Sequence, residues 1–181
     1  GIPIPFHRDF EEVNLRFYVR YKDGDEWKRG VVFIKEIVPK SAITFVANTL
    51  YNENYQSLPM KNEFERDVKF QKVSYSWKFQ NEWNFLRVNA DFKPQKIEVG
   101  SEAEFITEHY WGYTKGNGKN TLEYQVEHPR WDIFPVHDFE MHCNVAELYG
   151  KPFEPFLAAD PHSVFMAEGS DIIVRQGRKI T

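Results

Sequence analysis

Alternation of apolar and polar residues is the clearest pattern near the start of the chain. From Val13 to Tyr21 every second residue is apolar, a period of two that is typical of a β-strand with two different faces. After a turn at residues 23–25, the run from Gly30 to Val38 is apolar on both faces except at Lys35 and Glu36. We therefore predict that the two strands pair as a hairpin and that the second is buried on both sides.

Helical spacing appears next, beyond Pro39. Between Ser41 and Tyr51 the apolar residues recur three and four positions apart, with Ser41 in the place of an N-terminal cap. They are Ile43, Val46, Ala47 and Leu50. The pattern predicts a short helix from Ser41 to Tyr51 that packs on the sheet. A second short helix is expected after Ser101, because Glu104 follows three residues later, as in a capping box.

Further apolar runs that flank polar turns predict three more hairpins. They are Val73–Phe79 with Phe85–Phe92, Tyr110–Lys115 with Leu122–Glu127, and Ser163–Ala167 with Ile172–Arg175. Tyr55 to Lys61 is expected to be extended, and Val145 to Tyr149 to be a helical turn that Gly150 ends. Many short strands and few helices predict a mainly β fold. We expect an antiparallel β-barrel, because closure is the usual way to hide strand edges.

Length and composition agree with a single domain over residues 1–181. Aromatic residues make up 17% of the chain, which favours strands over helices. The net charge is −4 without a block of like charge, so we expect neither a nucleic-acid partner nor a membrane partner, since no apolar run is long enough to span a bilayer. Cys143 is the single cysteine and cannot form an internal disulfide, which favours a cytoplasmic location.

Five separated segments resemble, in order, the YqjF-like family of uncharacterised bacterial proteins. The segments are Phe10–Tyr18, Arg29–Val38, Tyr51–Lys61, Phe105–Tyr113 with Thr-Glu-His-Tyr at its centre, and His-Pro-Arg-Trp at 128–131. His109 and Arg130 are mild departures from the family pattern. The resemblance implies a cone-shaped β-barrel related to acetoacetate decarboxylase. It also implies that this chain lacks an N-terminal portion of the family domain.

The same resemblance bears on chemistry. Acetoacetate decarboxylase uses a lysine of lowered pKa to form a Schiff base, and two adjacent lysines follow a Tyr-Pro pair in that enzyme. The matching residues here are Leu58, Pro59, Met60 and Lys61, so methionine stands at the Schiff-base position. Neighbours on a strand point to opposite faces, and Lys61 therefore does not simply replace the missing amine. We predict that the protein forms no Schiff base with a keto acid.

Charges within the apolar strands are the next candidates. Arg16 and Glu36 would each need a partner if buried, and an ion pair between them across the first hairpin is one interpretation. The other is that Arg16 faces the barrel interior and binds a substrate carboxylate.

Histidines and carboxylates in the second half supply further candidates. Glu108, His109 and His128 are suited to acid and base chemistry, although their spacing does not match a zinc motif. His137, Asp138, Glu140 and His142 form a second polar group that could ligate a metal, but a solvated loop is the simpler interpretation. We predict no metal and no cofactor. With few basic neighbours in sequence, Cys143 is expected to be inert.

Aromatic residues with polar groups line small-molecule pockets and also fill barrel cores. The pocket candidates are Arg16, Glu36, Tyr55, Lys61, Glu108, Tyr113, His128 and Trp131. Two functions fit: a small-molecule-binding barrel that acts on a carboxylate or keto compound, and a noncatalytic binding or structural protein. The sequence identifies no specific ligand, and it leaves open whether the protein is a homo-oligomer.

Overall fold

The computed structural model describes residues 10–116, 118 and 120–180, without the side chains of residues 50 and 51. The fold is mainly β, as predicted, and it includes a strongly curled sheet in the form of a half-barrel. Contacts divide the chain into two compact units. The first unit contains the described parts of Gly1–Ser57, Glu108–Pro129 and Ser170–Thr181, and the second contains Leu58–Thr107 and Arg130–Gly169. That the chain is a single domain stays a prediction.

The elements follow one another along the chain as short strands with few helices. The strands are β1 (Val13–Asp23), β2 (Glu26–Val38), β3 (Tyr55–Ser57), β4 (Met60–Arg66), β5 (Phe70–Phe79), β6 (Glu82–Asp91), β7 (Trp111–Lys115), β8 (Thr121–Glu127), β9 (Ile133–His142), β10 (Phe165–Ala167), β11 (Ile173–Val174) and β12 (Arg178–Lys179). The helices are α1 (Ser41–Val46), which continues as a π-helical turn (Ala47–Tyr51), α2 (Glu102–Thr107), α3 (Val145–Leu148) and, after a 3-10 turn (Lys151–Phe153), α4 (Glu154–Leu157).

Within the described residues, the first unit holds a sheet of seven strands in the order β1-β2-β7-β8-β11, with β3 beside β2 and β12 beside β8. Most pairs are antiparallel, but β2 runs parallel to both β3 and β7. The buried apolar residues of this unit are Val31, Ile37, Val38 and Tyr113. The end of β2 therefore lies in the core, as the two-sided apolar pattern predicts.

The second unit holds, among its described residues, a five-stranded antiparallel sheet in the order β10-β9-β6-β5-β4. Its buried apolar residues are Val73, Trp77, Val88, Ala90, Ile97, Val145 and Leu148. Asn84 connects sheet and helix, since its Oδ1 accepts a hydrogen bond from the Asn144 amide at 2.8 Å. Asn144 in turn caps α3 through Glu147 N.

Three of the four predicted hairpins are confirmed: β1 with β2, β5 with β6, and β7 with β8. The turn between β7 and β8 includes Asn117, which lies outside the described residues. The capping box at Ser101 is confirmed in part: Ser101 Oγ accepts from the Glu104 amide, but the Glu104 carboxylate accepts from Gly100 N rather than from Ser101 N. The helical turn before Gly150 is confirmed as α3.

Three other predictions are wrong in part or whole. The last hairpin does not form, because β10 pairs with β9 while β11 pairs with β8 in the other sheet. Ser41 is the first helical residue rather than the cap, and Lys40 precedes it without a capping side chain. Residues 137–142 are not a loop but the end of β9, held by its pairing with β6.

Candidate functional site

A cavity of about 270 Å³ lies in the first unit beside α1 and its π-helical continuation. We call it the acid pocket. Its polar lining residues are Glu36, Glu53, Tyr55 and Tyr124, and its apolar lining residues are Ile43, Val46, Ala47 and Val174. Ile43, Val46 and Ala47, which belong to the apolar face predicted for the helix, thus form part of the wall of this pocket.

Strand register places the polar groups of the acid pocket side by side. Tyr55 on β3 is the partner of Glu36 on β2 in the parallel pair, and Asn14 on β1 is opposite Glu36 in the antiparallel pair. Directly opposed residues share one face of a sheet. Glu12, two residues before Asn14, reaches the same cluster, and its Oε1 accepts a hydrogen bond from Tyr55 Oη at 3.3 Å.

Three asparagines fix the segment that carries Glu53 and Tyr55. Asn48 exchanges two hydrogen bonds with the backbone of Tyr55, at 2.8 and 2.9 Å. Asn52, whose φ of 54° ends the π-helical turn, donates its side-chain amide to the Lys115 carbonyl. Asn54 donates to the Ile34 carbonyl at 2.6 Å and accepts from Glu36 N at 3.1 Å. The loop after the helix is thereby tied to β2 and β7.

Gly112 makes room for the fourth polar group. Tyr124 on β8 is paired with Gly112 on β7, and its ring lies over that glycine. A Cβ atom on Gly112 would come within 2.1 Å of Tyr124 Cζ, far inside van der Waals contact. A residue without a side chain is therefore needed at position 112 for Tyr124 to reach across β7 toward Glu36 and Glu53.

Burial and mutual repulsion keep protons on this cluster. Desolvation, and then the nearby carboxyls of Glu53 and Glu12, raise the pKa of Glu36 to about 9. Desolvation also raises the pKa of Glu53 and, although Glu12 is exposed over part of its surface, that of Glu12. The pKa values of the phenols of Tyr55 and Tyr124 are raised as well, first by burial and then by the neighbouring carboxyls. At neutral pH Glu36 therefore holds a proton.

Glu36 has an unused hydrogen-bonding atom in the pocket. The residue is 3% exposed, and its Oε2 is buried with no hydrogen-bond partner among the described residues. None of the described residues that line the pocket is a lysine, arginine or histidine. Buried polar atoms of native proteins are nearly always paired, so an unpaired one in a cavity indicates a place for a ligand atom or water.

A second buried carboxylate in the same sheet has the opposite surroundings. The Glu123 side chain is 0% exposed, accepts from Lys28 Nζ at 3.1 Å and from Arg178 Nε at 2.8 Å, and is the partner of the Tyr113 hydroxyl at 3.2 Å. Asp23 closes the network, 2.6 Å from Lys28. Tyr113 is thus part of an ion-pair cluster and does not line the acid pocket.

Glu108 and His128 are brought near each other by Tyr110. The Tyr110 hydroxyl donates to Glu108 Oε2 at 2.5 Å, and its ring centroid is 4.9 Å from that of His128. His109 turns away and packs on Tyr18, with ring centroids 4.6 Å apart. Among the described residues, no three acidic, histidine or cysteine side chains are arranged to hold a metal ion.

Arg16 and Glu36 do not form the predicted ion pair. A register shift between Leu15 and Arg16 places Arg16 opposite Phe33, while Glu36 is opposite Asn14. Arg16 is exposed, with its guanidinium carbon 5.6 Å from the Tyr18 ring centroid. The prediction was right that both residues lie on neighbouring strands and that one of them is buried.

The remaining candidates lie in the second unit. Lys61 is 52% exposed, 3.6 Å from Glu63, and over the Trp83 ring. Trp131 is half-buried beside Arg130, which pairs with Glu104 at 2.7 Å. Burial raises the pKa of Cys143 to about 11, so its thiol is protonated at neutral pH, in agreement with the expected inert cysteine.

Glu53 and Tyr124 were missed by sequence reasoning, as was Glu12. Glu53 stands in a polar loop and Tyr124 in an ordinary alternating strand, so neither breaks a local pattern. The available signal was Gly112 opposite Tyr124 within a predicted hairpin, since glycine inside a strand often marks a close approach of another group.

Comparison with known proteins adds family membership. No curated protein matches the chain. No helix among the described residues has the length and apolar character needed to cross a membrane. A family model named DUF2071, described as an uncharacterized conserved protein, matches residues 1–171. Because this match spans most of its length, the chain belongs to the DUF2071 family of uncharacterised conserved proteins.

Proposed function

We propose that this protein binds a small organic molecule in the acid pocket and that it does so without Schiff-base chemistry. The observation that carries the proposal is Glu36, which lines the cavity and whose Oε2 is buried and unpaired among the described residues. A buried polar atom left without any partner costs on the order of 1–3 kcal/mol. A ligand donor offsets that cost.

The size and lining of the acid pocket suit a small ligand. A volume of about 270 Å³ is near the lower end of ligand cavities, and half of the lining is apolar. Such a wall accommodates a short hydrocarbon or ring, while the carboxyls and phenols orient one polar end. We further propose that the fold is a closed cone-shaped barrel related to acetoacetate decarboxylase, which the curled half-barrel sheet supports.

Lys61 supports the absence of Schiff-base chemistry. A catalytic amine must lose its proton, which needs burial or a neighbouring cation. Lys61 is exposed rather than buried, and its Nζ lies 3.6 Å from Glu63 Oε1. Met60 precedes it on β4 and cannot form an imine.

A second candidate function is that of a noncatalytic binding or structural protein that retains the barrel. The hydrogen bonds from the three asparagines to backbone carbonyls favour this alternative, because they stabilise the segment that carries Glu53 and Tyr55 with or without a ligand.

A ligand screen separates the two functions. Native mass spectrometry and thermal unfolding against a library of small acids, keto compounds, alcohols and amines should find a compound that raises the melting temperature of the wild type. Glu36→Gln should weaken that effect, whereas Glu140→Gln, which changes an exposed carboxylate of β9, should leave it unchanged. Failure of every compound would contradict ligand binding.

Schiff-base chemistry needs a separate test. Incubation with a keto acid followed by borohydride reduction should give no covalent adduct in the intact mass. A stoichiometric adduct at Lys61 would contradict this part of the proposal.

A further inference from the structure

All of the described titratable groups that line the acid pocket are acids. Its acidic members are Glu36, Glu53 and, at its edge, Glu12. The remaining polar lining consists of the phenols Tyr55 and Tyr124. No described lining residue is a lysine, arginine or histidine, so the wall offers no cationic partner for a ligand carboxylate.

Glu36 indicates where the polar end of a ligand would bind in the acid pocket. Glu36 lines the cavity, its Oε2 is buried and unpaired among the described residues, and the parallel pairing of β2 with β3 places the residue beside Tyr55. The apolar part of the wall includes Ile43, Val46 and Ala47 on α1 and the π-helical turn. A ligand can place a hydrocarbon body against these residues and a polar end at Glu36, whose carboxylate, once ionised, accepts hydrogen bonds.

We propose that the ligand of the acid pocket is a small organic cation, a protonated amine with an apolar body, whose ammonium group binds at Glu36. The inference rests on the proposed function, since it specifies the ligand of the same pocket. An ammonium group supplies the donors that Glu36 Oε2 lacks, and it offsets the repulsion among the three carboxyls. A bare metal ion fits less well, because half of the wall offers no oxygen ligands.

Binding is coupled to a proton. In the empty pocket Glu36 is neutral at neutral pH. Its carboxyl must first release its proton to the buffer, and the resulting carboxylate then forms an ion pair with the ammonium ion. The titratable groups that face Glu36 are Glu12, Glu53, Tyr55 and Tyr124. All of them are acids, so none of them can replace the ammonium as the cation.

Matched probes test the class of ligand. Cyclohexylammonium, cyclohexanol and cyclohexanecarboxylate share one ring and differ in charge, and calorimetric titration at neutral pH measures the affinity of each for the full chain. We expect cyclohexylammonium to bind at least about tenfold more tightly than cyclohexanol, and cyclohexanecarboxylate more weakly than either. Titrations in buffers of different ionisation enthalpy should show close to one proton released with the ammonium and none with the alcohol.

Variants test whether the preference for cyclohexylammonium arises in the acid pocket. Glu36→Gln should lower the affinity for cyclohexylammonium about tenfold, abolish the proton release and leave the affinity for cyclohexanol within about twofold. The control Glu140→Gln should change none of these. Because Glu36 is already neutral in the empty protein, the glutamine variant is expected to fold.

Three results would overturn the inference. They are equal or tighter binding of the alcohol or the carboxylate, an unchanged ammonium affinity in Glu36→Gln, and stabilisation by calcium chloride that Glu36→Gln abolishes. Tighter binding of the alcohol or the carboxylate would leave the small-molecule pocket in place with another ligand class, whereas stabilisation by calcium that depends on Glu36 would contradict the proposed function as well. If no probe binds, the cation inference fails, and the library screen then decides whether the proposed function fails with it.

Discussion

Glu36 and Glu123 are buried in the same sheet of the first unit, but the groups that surround their carboxyls differ in charge. Glu123 contacts two cations, Lys28 and Arg178, and a tyrosine hydroxyl. Glu36 is surrounded by two carboxyls and two phenols, and its pKa rises to about 9. A buried carboxylate must be paired or else take up a proton. The paired residue stabilises the fold, whereas the protonated one leaves hydrogen-bonding capacity for a ligand.

Replacement of Glu123 should give the largest effect. In Glu123→Gln, Lys28 and Arg178 lose the anion between them, and Lys28 is largely buried. We expect the free energy of unfolding at neutral pH to fall by about 3 kcal/mol, measured by urea denaturation. The control is Glu127→Gln, which breaks an exposed ion pair with Arg175 and should cost far less. Equal losses in both variants would contradict the role assigned to burial.

Substitution of Gly112 should disturb the acid pocket without touching the ion pairs of Glu123. Gly112→Ala places a methyl group against the Tyr124 ring, and overpacking of this kind costs about 2 kcal/mol. In a Tyr124→Ala background the ring is gone, so the same substitution should add little further loss. Urea denaturation of the four proteins measures this coupling. Additive losses would show that Tyr124 does not lie over Gly112 as described.

The pH dependence of stability should reveal the proton that Glu36 holds in the folded protein. Glu36 has a pKa of about 9 in the folded protein against an ordinary 4.5, so the native state retains a proton that the unfolded chain loses. The free energy of unfolding therefore falls as the pH rises from about 5 to about 9 and levels off above that range. Glu12 and Glu53, with raised pKa values, contribute in the same direction.

Glu36→Gln removes the largest part of this dependence. At about pH 9 we expect the variant to be more stable than the wild type by more than about 1.4 kcal/mol, the equivalent of one pKa unit. Urea denaturation across a pH series gives both profiles. Parallel profiles would contradict a protonated Glu36, whereas Glu123→Gln should be destabilised throughout.

Sequence patterns identified Glu36 and Tyr55 for a physical reason. A charged residue inside an otherwise apolar strand is an exception to the local pattern, so Glu36 can be identified as a candidate from the sequence alone. Its partners were not, because they depend on pairings between distant segments. The parallel pairing of β2 with β3 brings Tyr55 to Glu36, and no local feature of either segment encodes it.

The wrong predictions have a similar origin. The shift at Leu15 moves Arg16 by one register position relative to β2, and such a shift cannot be read from alternation alone. The last hairpin failed because β10 and β11 are only three and two residues long, and strands that short take their partners from whichever sheet edge is near. Hairpins with longer strands, such as β1 with β2, were predicted because their contacts are local.

The protonation state of Glu36 is the central claim, and nuclear magnetic resonance can measure it directly. The side-chain carboxyl resonances of ¹³C-labelled glutamate are followed across a pH titration, and the signal that disappears in Glu36→Gln is assigned to Glu36. We predict that this resonance titrates near pH 9, well above the ordinary glutamate value of 4.5. A Glu36 resonance that titrates near 4.5 would contradict the account.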